Sequence, residues 1–73
     1  MKKEIPGVGI VHYKVLFDRG YGLEVTLKTA DGEERSTVRN LTTSRDNINR
    51  LTKLLWKNTV MPCTLGEIVE ELL

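Results

Sequence analysis

Two runs of strand-forming residues, separated by a three-residue turn signal, constrain the fold of this chain more than any other feature. From residues 10 to 17 and from 21 to 29, β-branched, aromatic and other apolar residues alternate with polar ones. Between the runs, Asp18-Arg19-Gly20 suits a three-residue hairpin loop in which Gly20 adopts a positive φ. We therefore expect an antiparallel pair of strands in which Phe17 lies opposite Tyr21.

A second turn signal, Asp31-Gly32, predicts a third strand over residues 33–41 and places Ala30 opposite Glu33. With both turns fixed, every other cross-strand neighbour follows. On the inner face the predicted rows are Val15/Leu23/Asn40, Tyr13/Val25/Val38 and Val11/Leu27/Ser36. On the outer face they are Lys14/Glu24/Arg39, His12/Thr26/Thr37 and Ile10/Lys28/Arg35. The first outer row alternates in charge, which a solvent-exposed sheet surface favours.

The last thirty residues contain two helix start signals. Thr43 and Ser44 precede an amphipathic run whose apolar residues recur at helical spacing. This helix ends before Pro62, because the residue before a proline is disfavoured in helical geometry. The capping box Thr64-Leu65-Gly66-Glu67 then opens a second apolar stripe: Leu65, Ile68, Val69, Leu72 and Leu73. We predict an α+β fold, a three-stranded antiparallel meander covered on one face by two C-terminal helices, in the order βββαα.

Length and composition predict one small globular domain. The 73 residues allow one thin core, and 40% hydrophobic with 29% charged residues is ordinary for a globular protein. Residues 1–9 contain Pro6 and two glycines, and we interpret them as a flexible leader before a single domain at residues 10–73. No apolar run approaches the roughly 20 residues of a membrane span, so no membrane partner is expected. The lone Cys63 fits a reducing compartment, and we expect a cytoplasmic protein.

The order of these features resembles a known family. The segments that carry the likeness are Tyr21-Gly22-Leu23-Glu24-Val25, Ser44-Arg45-Asp46, Val60-Met61-Pro62 and Leu65-Gly66-Glu67-Ile68-Val69-Glu70-Glu71-Leu72-Leu73. Over residues 10–73 the chain resembles a family of small bacterial proteins of unknown function. The matching positions are caps, turns and core residues rather than reactive groups. The resemblance therefore implies the architecture and a bacterial cytoplasmic origin, and it assigns no site residues.

The side chains that do chemistry are too few to predict an enzyme. His12 is the single histidine and Cys63 the single cysteine, and they lie on different predicted elements. One histidine and one cysteine also fall short of the three or four protein ligands of a zinc site. We therefore predict no catalytic, metal or cofactor-binding residue and no cofactor. His12 is interpreted as an exposed cross-strand neighbour of Thr26, and Cys63 as a small residue packed at the bend between the helices.

Charge is divided along the chain, and this division defines a candidate interaction surface. Residues 35–57 contain six basic residues and one acidic residue, whereas residues 58–73 contain three acidic residues and no basic one. Two interpretations remain open, since the basic segment either binds nucleic acid or is neutralised by the acidic second helix. The residues of the candidate surface are Lys14, Glu24, Arg35, Arg39, Arg50, Lys53 and Lys57.

We expect a non-enzymatic protein-protein interaction or regulatory adaptor module, with weak nucleic-acid binding as the alternative. The meander predicts that the first strand, residues 10–17, lies at a sheet edge. Its open hydrogen-bonding groups favour strand addition by an unknown partner protein or a homodimer. In the other interpretation the leader that contains Pro6 covers this edge, and the last leucines merely complete the core.

Overall fold

A computed structural model of the protein describes the backbone of residues 1–72 and the side chains of residues 1–70. Its elements are β1 (Lys2–Ile5), β2 (Gly9–Phe17), β3 (Tyr21–Thr29), β4 (Gly32–Thr42), α1 (Arg45–Lys57), a 3₁₀ turn (Pro62–Thr64) and α2 (Leu65–Leu72). The strands form one antiparallel sheet in the order β1-β2-β3-β4. The predicted α+β class with two C-terminal helices is confirmed, but the sheet has four strands rather than three.

The additional strand lies within the predicted leader. Residues 2–5 pair with the start of β2, and this register places Lys2 opposite His12 and Ile5 opposite Gly9. Pro6 and Gly7 occupy the centre of the connecting turn, which is closed by a 3.0 Å hydrogen bond from the Val8 N–H to the Ile5 carbonyl. Proline followed by a glycine at φ 77° is the pattern of a type II turn. Residues 2–5 of the predicted leader therefore form a strand of the sheet.

The register between β2 and β3 agrees with the prediction at every pair. Phe17 lies opposite Tyr21, Val15 opposite Leu23 and Tyr13 opposite Val25. The residue with positive φ in this turn is Arg19, at φ 68°, rather than Gly20. The turn signal at residues 18–20 thus fixed the pairing although the left-handed conformation falls one residue earlier.

The register between β3 and β4 differs from the prediction by two residues. Thr29 pairs with Gly32, so the turn residues are Ala30 and Asp31, and Val25 lies opposite Ser36 rather than Val38. The Thr29 hydroxyl stabilises this turn by accepting a 3.2 Å hydrogen bond from the Asp31 N–H. A slip of two residues leaves each side chain on its predicted face, because side chains alternate with a period of two.

A β-bulge between Tyr21 and Leu23 restores the register that the predicted turn would give, since Tyr21 lies opposite Thr42. Asn40 in the bulged strand adopts φ 55°, a left-handed conformation that asparagine tolerates better than most residues. At the bulge the backbone of β4 lies directly against Gly22, where a Cβ atom would approach the Val38 carbonyl oxygen and lie 2.9 Å from the Arg39 Cα. Gly22 therefore allows a close approach between two strands.

Helix α1 begins as predicted and ends in a Schellman motif. The Ser44 hydroxyl accepts a hydrogen bond of 3.3 Å from the Asn47 N–H and caps the first turn. At the other end, the N–H groups of Thr59 and Val60 donate to the carbonyls of Trp56 and Leu55, at 3.2 and 3.0 Å. Thr59 takes the left-handed position at φ 51°, where glycine is usual.

Strand β1 contacts the end of α1 through one lysine and one backbone carbonyl. The Lys3 ammonium donates to the Trp56 carbonyl at 3.0 Å and to the Thr59 hydroxyl at 2.6 Å, and it lies 5.1 Å from the centroid of the Trp56 ring. The Trp56 indole N–H donates in return to the Lys2 carbonyl at 3.1 Å. A positive charge at a helix C-terminus is favourable, so β1 both extends the sheet and stabilises the end of α1.

The core lies between the sheet and the helices. Its buried apolar residues are Val11, Tyr13, Leu23, Val25, Leu27, Ile48, Leu51, Leu55, Val60, Leu65 and Val69. The Tyr13 hydroxyl donates to the Val60 carbonyl at 2.9 Å, which satisfies both buried polar groups. Burial raises the pKa of Tyr13 above its ordinary value. The predicted inner face of β2 and β3 is therefore correct over residues 11–13 and 23–27.

The entry into α2 uses a different contact from the predicted capping box. The Thr64 hydroxyl donates to the Met61 carbonyl at 3.1 Å and closes the 3₁₀ turn. Leu65 and Val69 are buried and confirm the apolar stripe of this helix. The other expected contributors, Leu72 and Leu73, lie outside the described side chains. No helix in residues 1–72 combines the length and apolar character needed to cross a bilayer.

Candidate functional site

Strand β2 is longer than the strand that covers it. Backbone hydrogen bonds with Met1 end the pairing at Tyr13, whose N–H donates to the Met1 carbonyl at 2.7 Å and whose carbonyl accepts from the Met1 amine at 2.9 Å. β2 continues to Phe17, and no strand among the described residues pairs with residues 14–17 on this side. We name residues 14–17 the open segment.

The backbone groups that the open segment presents follow from strand geometry. In an antiparallel sheet, the N–H and C=O of one residue point to the same neighbouring strand, and those of the next residue point to the opposite one. Tyr13 bonds toward β1, so Val15 and Phe17 point their N–H and C=O groups toward that same side. Two donors and two acceptors therefore face solvent along the open segment.

The side chains beside these groups are apolar and exposed. Phe17 has 69% of its surface accessible and Val15 has 37%, although both lie on the helix side of the sheet. The Phe17 ring packs beside Tyr21, a partly buried residue at the core, with 4.8 Å between the two ring centroids. The prediction that Val15 and Phe17 belong to the core face is wrong in burial: both are exposed at the β2 edge of the sheet, whereas Leu23, opposite Val15 on β3, is fully buried.

A groove of about 390 Å³ opens between the open segment and α1. Its lining residues are Met1, His12, Tyr13, Lys14, Val15, Asn49, Thr52 and Lys53. Val15 belongs both to the groove and to the open segment. Lys14 and Lys53 are the basic residues of this lining, whereas Tyr13 and Val15 provide apolar surface. A strand placed beside Val15 would thus direct alternate side chains toward this groove.

The predicted surface residues are divided between two sides of the molecule. Lys14, Glu24, Arg35 and Arg39 lie on the outer face of the sheet, and Arg50, Lys53 and Lys57 are exposed on α1. The sheet separates the two groups except at the edge of β2. Lys53 lines the groove beside the open segment, together with Lys14.

The predicted outer rows are changed by the two-residue slip of β4. Glu24 lies between Lys14 and Thr37, whereas Arg39 was predicted in place of Thr37. Arg35 lies opposite Thr26 and forms ion pairs with Glu33 at 2.7 Å and Glu24 at 4.0 Å. The predicted alternation of charge in the row of Lys14, Glu24 and Arg39 is therefore replaced by a diagonal contact.

Among the described side chains, no ion pair joins the basic helix α1 to the acidic helix α2. Arg35 makes the ion pairs found among residues 1–70, and none connects α1 with Glu67 or Glu70 of α2. The third acidic residue, Glu71, lies outside the described side chains.

His12 lies in the outer row beside Lys2 and Thr26, within a basic part of the sheet. Partial burial lowers the pKa of His12 below 6.5, and the positive charges of the amino terminus, Lys2, Lys14 and Lys28 lower it further. The imidazole is consequently neutral in the folded protein at neutral pH.

This lowered pKa predicts a pH dependence of stability. Between the folded pKa and 6.5 the unfolded chain binds the proton first, so the unfolding free energy increases as pH rises through this window. Urea unfolding between about pH 5 and pH 7.5 measures the slope, and His12→Gln removes the histidine contribution. A ring titration by NMR with a midpoint at or above 6.5 would contradict the prediction.

The other potentially reactive side chain, Cys63, lies on a different element from His12. Cys63 is exposed in the 3₁₀ turn, beside a depression that Ser36 of β4 also lines. His12 lies on the outer face of β2, so the fold does not bring the two residues into one site. Within the described part of the chain, no three histidine, cysteine or acidic side chains form a group suitable for a metal ion.

The sequence predicted an open edge along the whole first strand, residues 10–17, but it missed that β1 covers the start of this strand and that Val15 and Phe17 are exposed. Two signals in the sequence point to these features. Pro6-Gly7 is a turn signal, so the residues before it can pair with the start of β2. Phe17 precedes a hairpin loop directly, at the end of a strand where coverage by a helix is least assured.

The comparisons with known proteins give a family without an assigned activity. No curated protein and no solved structure matches the chain significantly. A family model described as a family of unknown function, DUF6514, matches residues 8–73. This match includes β2, β3, β4 and both helices, and it begins after β1. Because the match covers most of the chain, the protein belongs to the DUF6514 family of unknown function.

Proposed function

We propose that this protein is a non-enzymatic interaction module of the bacterial cytoplasm, which binds a partner protein by adding a strand of that partner to the open segment. The observation that carries the proposal is the end of the β1 pairing at Tyr13 while β2 continues to Phe17. Unpaired strand groups are a template for another strand, and natural proteins usually cover or disrupt such edges.

The surroundings of the open segment support a partner strand. Main-chain hydrogen bonds from Val15 and Phe17 supply affinity that depends little on sequence, and the adjacent groove supplies side-chain selection. Burying the exposed Phe17 side chain on binding would add the hydrophobic contribution of an aromatic anchor. Exposing the apolar side chains of Val15 and Phe17 beside unpaired backbone groups does not stabilise the monomer.

The opposite edge of the sheet is less suited to strand addition. Strand β4 carries Glu33, Glu34 and Arg35 in succession, and its bulge near Asn40 interrupts the regular ladder. Charged side chains and bulges are the features that protect sheet edges from pairing. The open segment of β2 has no bulge, and its last three residues, 15–17, are uncharged.

Nucleic-acid binding by residues 35–57 has weaker support. Its cations are distributed over both sides of the sheet, and Arg35 is engaged by Glu24 and Glu33. Phosphate contacts are strongest where unpaired cations share one surface. The proposed function therefore rests on strand addition.

Amide hydrogen exchange in dilute solution tests whether the open segment is free. The Val15 and Phe17 amides are expected to exchange at least about tenfold faster than those of Lys14 and Leu16, which point toward β3. Slow exchange of Val15 and Phe17 in the monomer would contradict the proposal, because it would mean that this edge is already paired.

Two substitutions at one position separate backbone pairing from side-chain contacts. Val15→Pro removes an N–H that faces the open side, and edge strands tolerate proline in that orientation. Val15→Ala keeps the N–H and shortens the side chain. Both variants are expected to fold, and partner proteins retained from a bacterial lysate should be lost with Val15→Pro and kept with Val15→Ala. Equal retention by the two variants would refute strand addition.

A further inference from the structure

The occupant of the open segment can be specified. Resting on the proposed function, we propose that a second copy of this chain adds its own residues 14–17, antiparallel across a two-fold axis, to join two four-stranded sheets into one. Three properties of the segment support this partner: its hydrogen-bonding register, its side-chain complementarity with itself and its position beside the groove.

The register follows from which backbone groups are open. Antiparallel pairing that uses both Val15 and Phe17 on each chain places Val15 of one copy opposite Phe17 of the other. Shifting the register by two residues in one direction would require Tyr13, which already bonds with Met1. Shifting it in the other direction would place Val15 opposite Arg19 in the hairpin turn. The two-fold axis therefore passes through Leu16.

This register gives complementary neighbours on the outer face of the sheet. Leu16 lies opposite Leu16 of the second copy, and Lys14 lies opposite Asp18 of the second copy. Because the arrangement is symmetric, the ion pair occurs twice. Cross-strand pairs of opposite charge and of apolar side chains both favour antiparallel association. Any other strand would need to provide the same pattern of charge and apolar residues.

On the helix side, the register directs Phe17 of each copy to the groove of the other. Phe17 lies opposite Val15 of the second copy, and Val15 lines the groove between β2 and α1. Phe17, a residue that is 69% exposed in one copy, is thereby placed over the groove that Tyr13 and Lys53 also line. The strand of the second copy also does not overlap with β1 along the edge of β2. Met1 lies opposite Tyr13, and Asp18 of the second copy would lie opposite the next residue, Lys14.

The predicted dimer is weak because the pairing involves only a few residues of each chain. An interface below about 1,200 Å² is typical of transient association, so we expect a dissociation constant between about 10 µM and 1 mM. Sedimentation velocity over this concentration range is expected to detect a monomer-dimer equilibrium. Protection of the Val15 and Phe17 amides should increase with the dimer fraction, and Val15→Pro should abolish both changes.

A charge exchange identifies the register. Asp18→Lys places like charges opposite each other at both symmetric positions and is expected to weaken the dimer about tenfold. The double variant Lys14→Asp with Asp18→Lys restores opposite charges and should recover wild-type association within about threefold. Asp31→Lys, the same charge change in the exposed turn between β3 and β4, is the matched control and should leave association unchanged.

The outcomes separate this inference from the proposed function. A protein that stays monomeric up to about 1 mM, with fast exchange at Val15 and Phe17, refutes the second copy and leaves strand addition by another protein. A monomer in which these amides exchange slowly refutes both. A dimer that survives Val15→Pro, or that the double charge exchange does not restore, uses another surface and also overturns the inference. Thermal unfolding of each variant verifies that it is folded.

Discussion

Replacing Gly22 with alanine is expected to destabilise the protein by about 3 kcal/mol, because the added methyl group would meet backbone atoms of β4 on a strand that is paired on both sides. The Val38 carbonyl and the Arg39 Cα, 2.9 Å from the added Cβ, belong to the bulged strand and cannot rotate away as a side chain would. The steric clash is relieved only if β4 moves away from β3, and this movement weakens the hydrogen bonds between the two strands.

This effect would be a large part of the total stability. A chain of 73 residues is expected to have an unfolding free energy of roughly 4 to 11 kcal/mol. A loss of about 3 kcal/mol should lower the melting temperature by at least about 12 °C, measured by circular dichroism.

Gly66→Ala provides the matched control for Gly22→Ala. Gly66 is exposed in α2, and a Cβ atom there would meet nothing within 4 Å. Alanine is favoured over glycine in a helix, so this variant should gain about 0.5 to 1 kcal/mol. If Gly22→Ala and Gly66→Ala changed stability by the same amount, the close approach at the bulge would not be a constraint.

Replacing Leu55 with alanine is expected to cost about 3 kcal/mol, since it leaves a cavity where α1 packs against the sheet. Leu55 is fully buried, and its carbonyl accepts the Schellman hydrogen bond from Val60, another core residue. The substitution removes the core contacts of this side chain and keeps the backbone hydrogen bond. Urea unfolding with an unchanged m value measures the loss.

The neighbouring Leu54→Ala variant is the control, because Leu54 is 41% exposed on the same helix. It is expected to change the unfolding free energy by less than about 1 kcal/mol, since alanine keeps the helix propensity and little burial is lost. Similar losses for the two variants would contradict the described rotation of α1 about its axis.

The sequence predicted the central part of the fold because strong local signals agree there. The loop at residues 18–20 joins two strands whose alternation matches on both faces, so the pairing of Tyr13 with Val25 was determined without knowledge of the helices. Ser44 likewise predicted the start of α1 from its capping chemistry.

The errors arose where two local turns satisfy the same alternation of side chains. Around residues 29–33, turns centred on Asp31-Gly32 or on Ala30-Asp31 keep the same faces, and the Thr29 hydroxyl favours the second one. The bulge at Gly22 then absorbs the difference in length between the strands. Neither the hydroxyl contact nor the bulge produces a periodic pattern in the sequence.

The strand β1 and the candidate site depend on contacts between distant residues. Residues 2–5 have weak strand propensity, and their position depends on Lys3 contacting Trp56 and Thr59 at the end of α1. The exposure of Phe17 depends on how far the helices extend across the sheet. Alternation assigns a side chain to a face, whereas its burial depends on what covers that face.

The direction of β1 has a practical consequence for handling the purified protein. β1 runs antiparallel to β2 and reaches Tyr13 at Met1, so a residue fused before Met1 would lie opposite Lys14 and the one preceding it opposite Val15. An affinity tag at the amino terminus would therefore extend along β2 and compete for the groups that bind a partner. Purification handles belong at the carboxyl end, or must be cleaved before association is measured.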